Sequence, residues 1–187
     1  VNTFSGNADD GFDVLAIGGG QFTVIDPIVG TIFSNNGDNG LIAIATGAGS
    51  NLDFDLGSPT GTGGNIFSGN GGGLATGLGS GATIRLVAGG TFSGGLFNNT
   101  FQNNPGAGLN YQLVNTTQGR LVIRSNTVLA NGLTGINVSA IDTALTDLEV
   151  LSNVSDGSTG GDGFAFNAVN SGISGRLRIV NNGFRRN

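Results

Sequence analysis

The stretch Asn65-Ile66-Phe67-Ser68-Gly69-Asn70-Gly71-Gly72-Gly73-Leu74 places an aromatic residue between two asparagines and follows it with glycine and a large apolar residue. The form N-x-F-x-x-N returns along the chain. It runs from Asn2 to Asn7 around Phe4, over Ile32 to Asn36 around Phe33, from Asn99 to Asn104 around Phe101, from Asn126 to Asn131 around Val128 and from Asn182 to Asn187 around Phe184, with Asn153 marking a degenerate copy. Glycine plus an apolar residue comes after each copy, at Gly11-Phe12, Gly40-Leu41, Gly73-Leu74, Gly108-Leu109, Gly135-Ile136 and Gly163-Phe164. The steps from Phe12 to Phe164 set a period of about 30 residues, which is that of a solenoid coil.

Inside each coil the apolar period is two, which signals strands. Leu109-Asn-Tyr111-Gln-Leu113, Ile136-Asn-Val138-Ser-Ala140 and Phe164-Ala-Phe166-Asn-Ala168 alternate after the glycine. A second strand is expected before the asparagine, at Phe22 to Val24, Leu52 to Phe54, Ile84 to Leu86, Leu121 to Ile123, Leu148 to Val150 and Leu177 to Ile179. The glycine-rich stretches Gly57 to Gly64 and Ala88 to Gly95 read as loops. The expected fold is therefore all-β: a right-handed parallel β-helix of about six coils, with residues 1–187 as one domain and a length of roughly 30 Å at the strand spacing.

Residues at one repeat position stack at that spacing. Phe4, Phe33, Phe67, Phe101, Val128 and Phe184 are expected to form an internal row, and Asn2, Asn65, Asn99, Asn126, Asn153 and Asn182 a row of side-chain amides at a turn. The other reading of these asparagines is as ordinary turn formers, since Asn and Gly tolerate left-handed backbone. On the outer side, alternating charges are expected along Arg120, Asp147 and Arg176, between Asp53 and Arg85, and between Glu149 and Arg178. Like charges at this spacing would repel.

Composition narrows the chemistry. The chain has no Cys, Met, Trp, His or Lys, against 37 Gly. Thiolate and imidazole metal sites, Ser-His-Asp and Cys-His catalysis and lysine Schiff bases are thereby excluded. A net charge of -5 with 10% charged residues argues against a nucleic-acid partner, and no apolar run reaches the roughly 18 residues of a membrane span. At 37% hydrophobic residues a core can form.

The recurring F-x-x-N followed by Gly-Gly and an apolar residue, clearest from Phe67 to Leu74, resembles the passenger repeats of bacterial polymorphic outer-membrane proteins and related autotransporter adhesins. More broadly it is similar to the right-handed parallel β-helix repeat of the pectin-lyase-like superfamily. The resemblance implies a secreted or cell-surface location. For that superfamily it also implies two kinds of catalytic site: carboxylates holding calcium with an Arg or Lys, or Asp residues with a His and a Lys. The absence of His and Lys removes the second. Asp53 and Asp55 with Arg85 could form the first, and an exposed ion-pair row explains the same three residues without catalysis.

Asp9, Asp10, Asp38, Asp156 and Asp162 lie in Gly/Asn-rich turns. Asp9 and Asp38 share a repeat position, and stacked oxygens there could bind calcium, although Asp is also a routine turn residue. No other cofactor is implied. Leu15, Ile42 and Ile44 face outward on adjacent coils, so either the Gly57 to Gly64 loop or a partner covers them. The two ends occupy one phase of the coil without a polar cap, so the piece is expected to be cut from a longer β-helix or to stack end to end with copies of itself. The functional expectation is a non-catalytic, extracellular structural or adhesive module whose partners are itself or other surface components. A polysaccharide-binding or polysaccharide-cleaving β-helix is the alternative.

Overall fold

A computed structural model describes residues 1–72 and 79–186. Its elements are strands, and they stack in parallel into a solenoid of about six coils. The first face is a seven-stranded sheet: β1 (Thr3–Ser5), β4 (Ile32–Ser34), β7 (Ile66–Ser68), β11 (Thr100–Gln102), β14 (Thr127–Leu129), β17 (Val154–Asp156) and β21 (Gly183–Arg185). The second has six longer strands: β2 (Phe12–Ile17), β5 (Leu41–Thr46), β8 (Ala82–Val87), β12 (Leu109–Val114), β15 (Ile136–Ile141) and β18 (Phe164–Val169). The third is split. β3 (Gln21–Thr23), β6 (Asn51–Asp53) and β9 (Thr91–Ser93) form its first part. β10 (Gly95–Phe97), β13 (Thr117–Arg124), β16 (Ala144–Leu151), β19 (Gly172–Ile173) and β20 (Leu177–Val180) form the rest, and single bridges Ile28 to Leu56 to Leu96 extend this part down to the first coil.

Left-handed backbone turns the chain at the corners. Of the residues just before a corner asparagine, Asn35, Asn98, Asn103, Ser125, Ser152 and Asn181 carry positive φ between 54° and 58°. A third corner, after the second face, uses Gly18, Gly47, Ala88, Asn115, Asp142 and Asn170 in the same way. The left-handed residue is thus the neighbour of the ladder asparagine rather than that asparagine itself. The preference for Asn and Gly at these neighbours follows from the cost of a Cβ in this region.

The core fills the triangular interior. Phe4, Phe33, Phe67 and Phe101 stack with ring centroids 5.3, 4.5 and 4.8 Å apart. In the next coils the row continues with Val128 and Ser155 and ends at Phe184. On the facing strand the coil with Phe67 carries Ala82 and the coil with Ser155 carries Phe164, while in the first coil Phe4 stacks on Phe12. Phe54, Phe92 and Tyr111 add edge-to-face contacts deeper in the core.

One coil departs from the expectation. Ile84-Arg85-Leu86 belongs to β8 on the second face, paired with Ala43 to Ala45 below and Tyr111 to Leu113 above. The strand that carries the third face in this coil is β9, inside the stretch read as a loop from Ala88 to Gly95. Glycine on both sides of Thr91-Phe92-Ser93 hid its three-residue pattern. The predicted strand start at Gly73-Leu74 lies outside the described residues; β8 itself begins after Gly81.

Candidate functional site

The most organised polar feature is a pair of asparagine ladders. In the first, Asn65, Asn99, Asn126 and Asn153 lie inside the wall with at most 1% exposure. Each donates its backbone N–H and one side-chain N–H to Oδ1 of the asparagine one coil on, ending at Asn182, and gives its other side-chain N–H to a carbonyl of the coil behind. Two donors and a two-bond acceptor are what a primary amide offers, so every polar atom of an interior member is satisfied. Asn2 sits at the same phase, but the next coil places Thr31 there, and the ladder starts when the Thr31 N–H meets Asn65 Oδ1 at 3.0 Å. The set from Asn65 to Asn182 is one ladder; Asn2 is not part of it.

The second ladder is Asn7, Asn36, Asn70, Asn104 and Asn131, built by the same rule, with the spare N–H donated to the carbonyls of Phe4, Phe33, Phe67 and Phe101. These residues close the N-x-F-x-x-N motif, yet sequence reasoning assigned only the first asparagine to a ladder. Asparagine recurring three residues after Phe4, Phe33, Phe67, Phe101 and Val128 was the available signal. Coil-to-coil steps along the two ladders vary from 27 to 34 residues, so inserted length is absorbed elsewhere while the ladders stay in register.

The charged residues arrange differently from the expectation. Asp53 pairs with Thr23 and Ser93 on the third face, whereas Arg85 pairs with Ile44 and Gln112 on the second. The expected Asp53 to Arg85 contact therefore does not form, and Asp53, Asp55 and Arg85 do not converge. Asp55 Oδ1 instead accepts the Gly95 N–H at 2.9 Å. Arg120 does lie beside Asp147 in register, but its guanidinium turns to Glu149, with Nη2 to Oε2 at 3.0 Å. Arg178 reaches the same carboxylate at 3.3 Å, while Asp147 accepts the Arg176 backbone N–H. Glu149 is 3% exposed, and the Arg120 hydrogen bond, with both guanidinium charges, holds its carboxyl below the usual range against the opposing effect of burial. Arg124, not singled out in sequence, lies over the Phe97 ring at 5.1 Å and donates to the Pro59 carbonyl.

Of the calcium candidates, Asp9 and Asp38 come together, joined by Asp10, with one carboxylate oxygen from each within 4.8 Å of the others. Burial first, then the charges of Asp10 and Asp9, push the Asp38 carboxyl up. Asp10 is also occupied in accepting both the backbone and side-chain N–H of Asn39. Asp156 is instead bound by Arg186, with Nε to Oδ1 at 2.8 Å. Asp162, four coils from the acidic cluster, contributes a backbone carbonyl to Gly135. Neither belongs to the cluster.

Leu15 and Ile44 are neighbours in register on the outer side of the second face, beside Ile42, and Leu15 is 55% exposed. The Gly57 to Gly64 loop does not reach them. It packs at another corner, where Asn98 Nδ2 donates to the carbonyls of Ser58 and Gly61 and Gly63 lies against Val29. Further along the second face an exposed amide row runs from Asn167 to Asn137 to Asn110. No protein-family model, curated protein sequence or solved structure matches the chain.

Proposed function

We propose that this chain is a rigid, non-catalytic structural or adhesive module at the cell surface or outside the cell, of the kind its repeats resemble in autotransporter passengers. The asparagine ladders carry this reading. The buried amides join coil to coil along the rod and leave an outer surface of short polar and β-branched side chains, an arrangement suited to holding other groups at a distance. End-to-end stacking of copies belongs to the same reading, because β2 and β18 are edge strands whose unpaired backbone groups point along the rod. Negative-stain electron microscopy tests it: rods about 30 Å long, or fibres of the same width, are expected. Release of unsaturated sugars from pectin or related acidic polysaccharides would overturn it.

The row Asn110, Asn137 and Asn167 with Gln112 and Ser139 favours a second reading, in which the second face holds a polysaccharide through amide and hydroxyl hydrogen bonds. Retardation in affinity electrophoresis that is lost in N110A/N137A would support it.

A further inference from the structure

Charge is segregated along the rod. No Arg precedes Arg85, whereas Asp26, Asp53 and Asp55 lie in the first two coils of the third face. The last three coils of that face hold Arg120, Arg124, Arg176 and Arg178 against only Asp147 and Glu149. Among the described residues, none of Asp26, Asp53 and Asp55 has a cation partner. Register places the two ends in the same columns. Asp55 precedes Leu56 in the bridge to Leu96, and the column continues through Gly95, Val122 and Glu149 to Arg178. Two residues earlier stand Asp53 at the second coil and Arg176 at the sixth. At the corner beside this face runs an outward row, Ile17, Thr46, Val87, Val114, Ile141 and Val169, in register from the first coil to the sixth. Ile17 and Val169 are more than half exposed.

We propose that this corner and the third face bind a second copy of the chain, side by side and antiparallel. A two-fold axis crossing the rod at the fourth coil faces each column with itself in reverse. Asp53 and Asp55 then lie over Arg176 and Arg178 of the second copy, about 19 Å along the rod from their own arginines. The same axis sets Val87 against Ile141, Thr46 against Val169 and Val114 against its own equivalent. One axis position therefore serves both the Asp and Arg ends and the apolar row, as an isologous contact requires; it also brings Arg120 near its own equivalent, where each guanidinium is turned to the Glu149 carboxylate of its own chain. A parallel pairing would instead oppose Asp to Asp and Arg to Arg.

Sedimentation equilibrium of the full chain tests the pairing. A dimer is expected at about 20 mM NaCl, with affinity falling at least about tenfold by 500 mM as the charges are screened. Val114→Asp, which sets two carboxylates together on the axis from an outward position, should give a monomer with unchanged circular dichroism. D53R/D55R and R176D/R178D should each be monomeric alone and form a heterodimer when mixed, because positions 53 and 55 then meet the opposite sign at 176 and 178 in both directions; these variants keep the test intact if Val114→Asp fails to fold. A wild-type chain that stays monomeric at low salt up to millimolar concentration overturns the proposal. An open series of polymers unaffected by Val114→Asp would also overturn it, in favour of contacts at the rod ends.

Discussion

The backbone N–H and the side-chain amide of Asn99 both donate to one atom, Oδ1 of Asn126, at 3.0 and 3.1 Å. That shared oxygen is the repeating unit of the ladder, and its worth depends on burial. Asn99→Ala leaves the backbone and side-chain N–H donors of Asn65 without their acceptor and removes one of the two donors to the Leu56 carbonyl, in a wall that water does not reach. A loss of about 3–5 kcal/mol is expected from urea unfolding. Asn2→Ala, at the same phase but exposed and outside the ladder, should change stability by less than about 0.5 kcal/mol.

Gly81 is required by close approach rather than by its dihedral angles. A Cβ there would lie 2.6 Å from the Gly108 carbonyl oxygen and 3.0 Å from Asn104 Nδ2. Gly81→Ala should cost about 2–4 kcal/mol by forcing the second ladder and the strand above it apart. Gly119→Ala, where nothing lies within 4 Å, is the control and should be neutral or slightly stabilising. Thermal unfolding of the two variants distinguishes these outcomes.

Ser155 interrupts the phenylalanine row with a hydroxyl that has no hydrogen-bond partner, at 0% exposure. Burying such a group costs free energy that an apolar side chain avoids. Ser155→Ala should therefore raise stability by about 1 kcal/mol, measured as a higher urea midpoint at unchanged slope.

Glu149 and Asp38 should give opposite dependences on pH. The Glu149 carboxyl is held low, so its contribution is present above its unfolded value of 4.5 and is lost as pH falls through the lower folded value. Glu149→Gln should reduce stability at pH 7 by about 1–2 kcal/mol, with the difference from wild type closing in acid. The Asp38 carboxyl is pushed up, so folding favours its protonated form, an advantage present below 3.8 and lost as pH rises through the folded value. Asp38→Asn should therefore melt higher than wild type at pH 7, with a smaller gain at pH 3. Melting curves of both variants from about pH 2.5 to 7 check the two signs.

The fold was legible because its determinants are local and repeated. Alternation of period two, a glycine wherever the backbone passes close to the ladder, and asparagine at each end of N-x-F-x-x-N recur in one dimension, so the parallel solenoid and the ladder from Asn65 to Asn182 could be read from the chain alone. Where an insertion broke the spacing, the strand assignment failed: the third coil holds additional residues, and Ile84 to Leu86 was matched to the wrong face. Both faces carry the same apolar alternation, so pattern alone could not separate them, and Arg85 went with the error. Ion partners were decided only in three dimensions. Sequence register puts Arg120 beside Asp147, but a long guanidinium arm reaches diagonally, and the buried Glu149 carboxylate, short of water, is the stronger acceptor. The Asp9, Asp10 and Asp38 cluster, the exclusion of Asp156 by Arg186 and the outward row from Ile17 to Val169 likewise depend on how coils of unequal length stack. Composition and period determined what kind of rod this chain makes, and tertiary register determined which of its side chains meet, because neighbours in a solenoid are about 30 residues apart and each inserted loop resets the count.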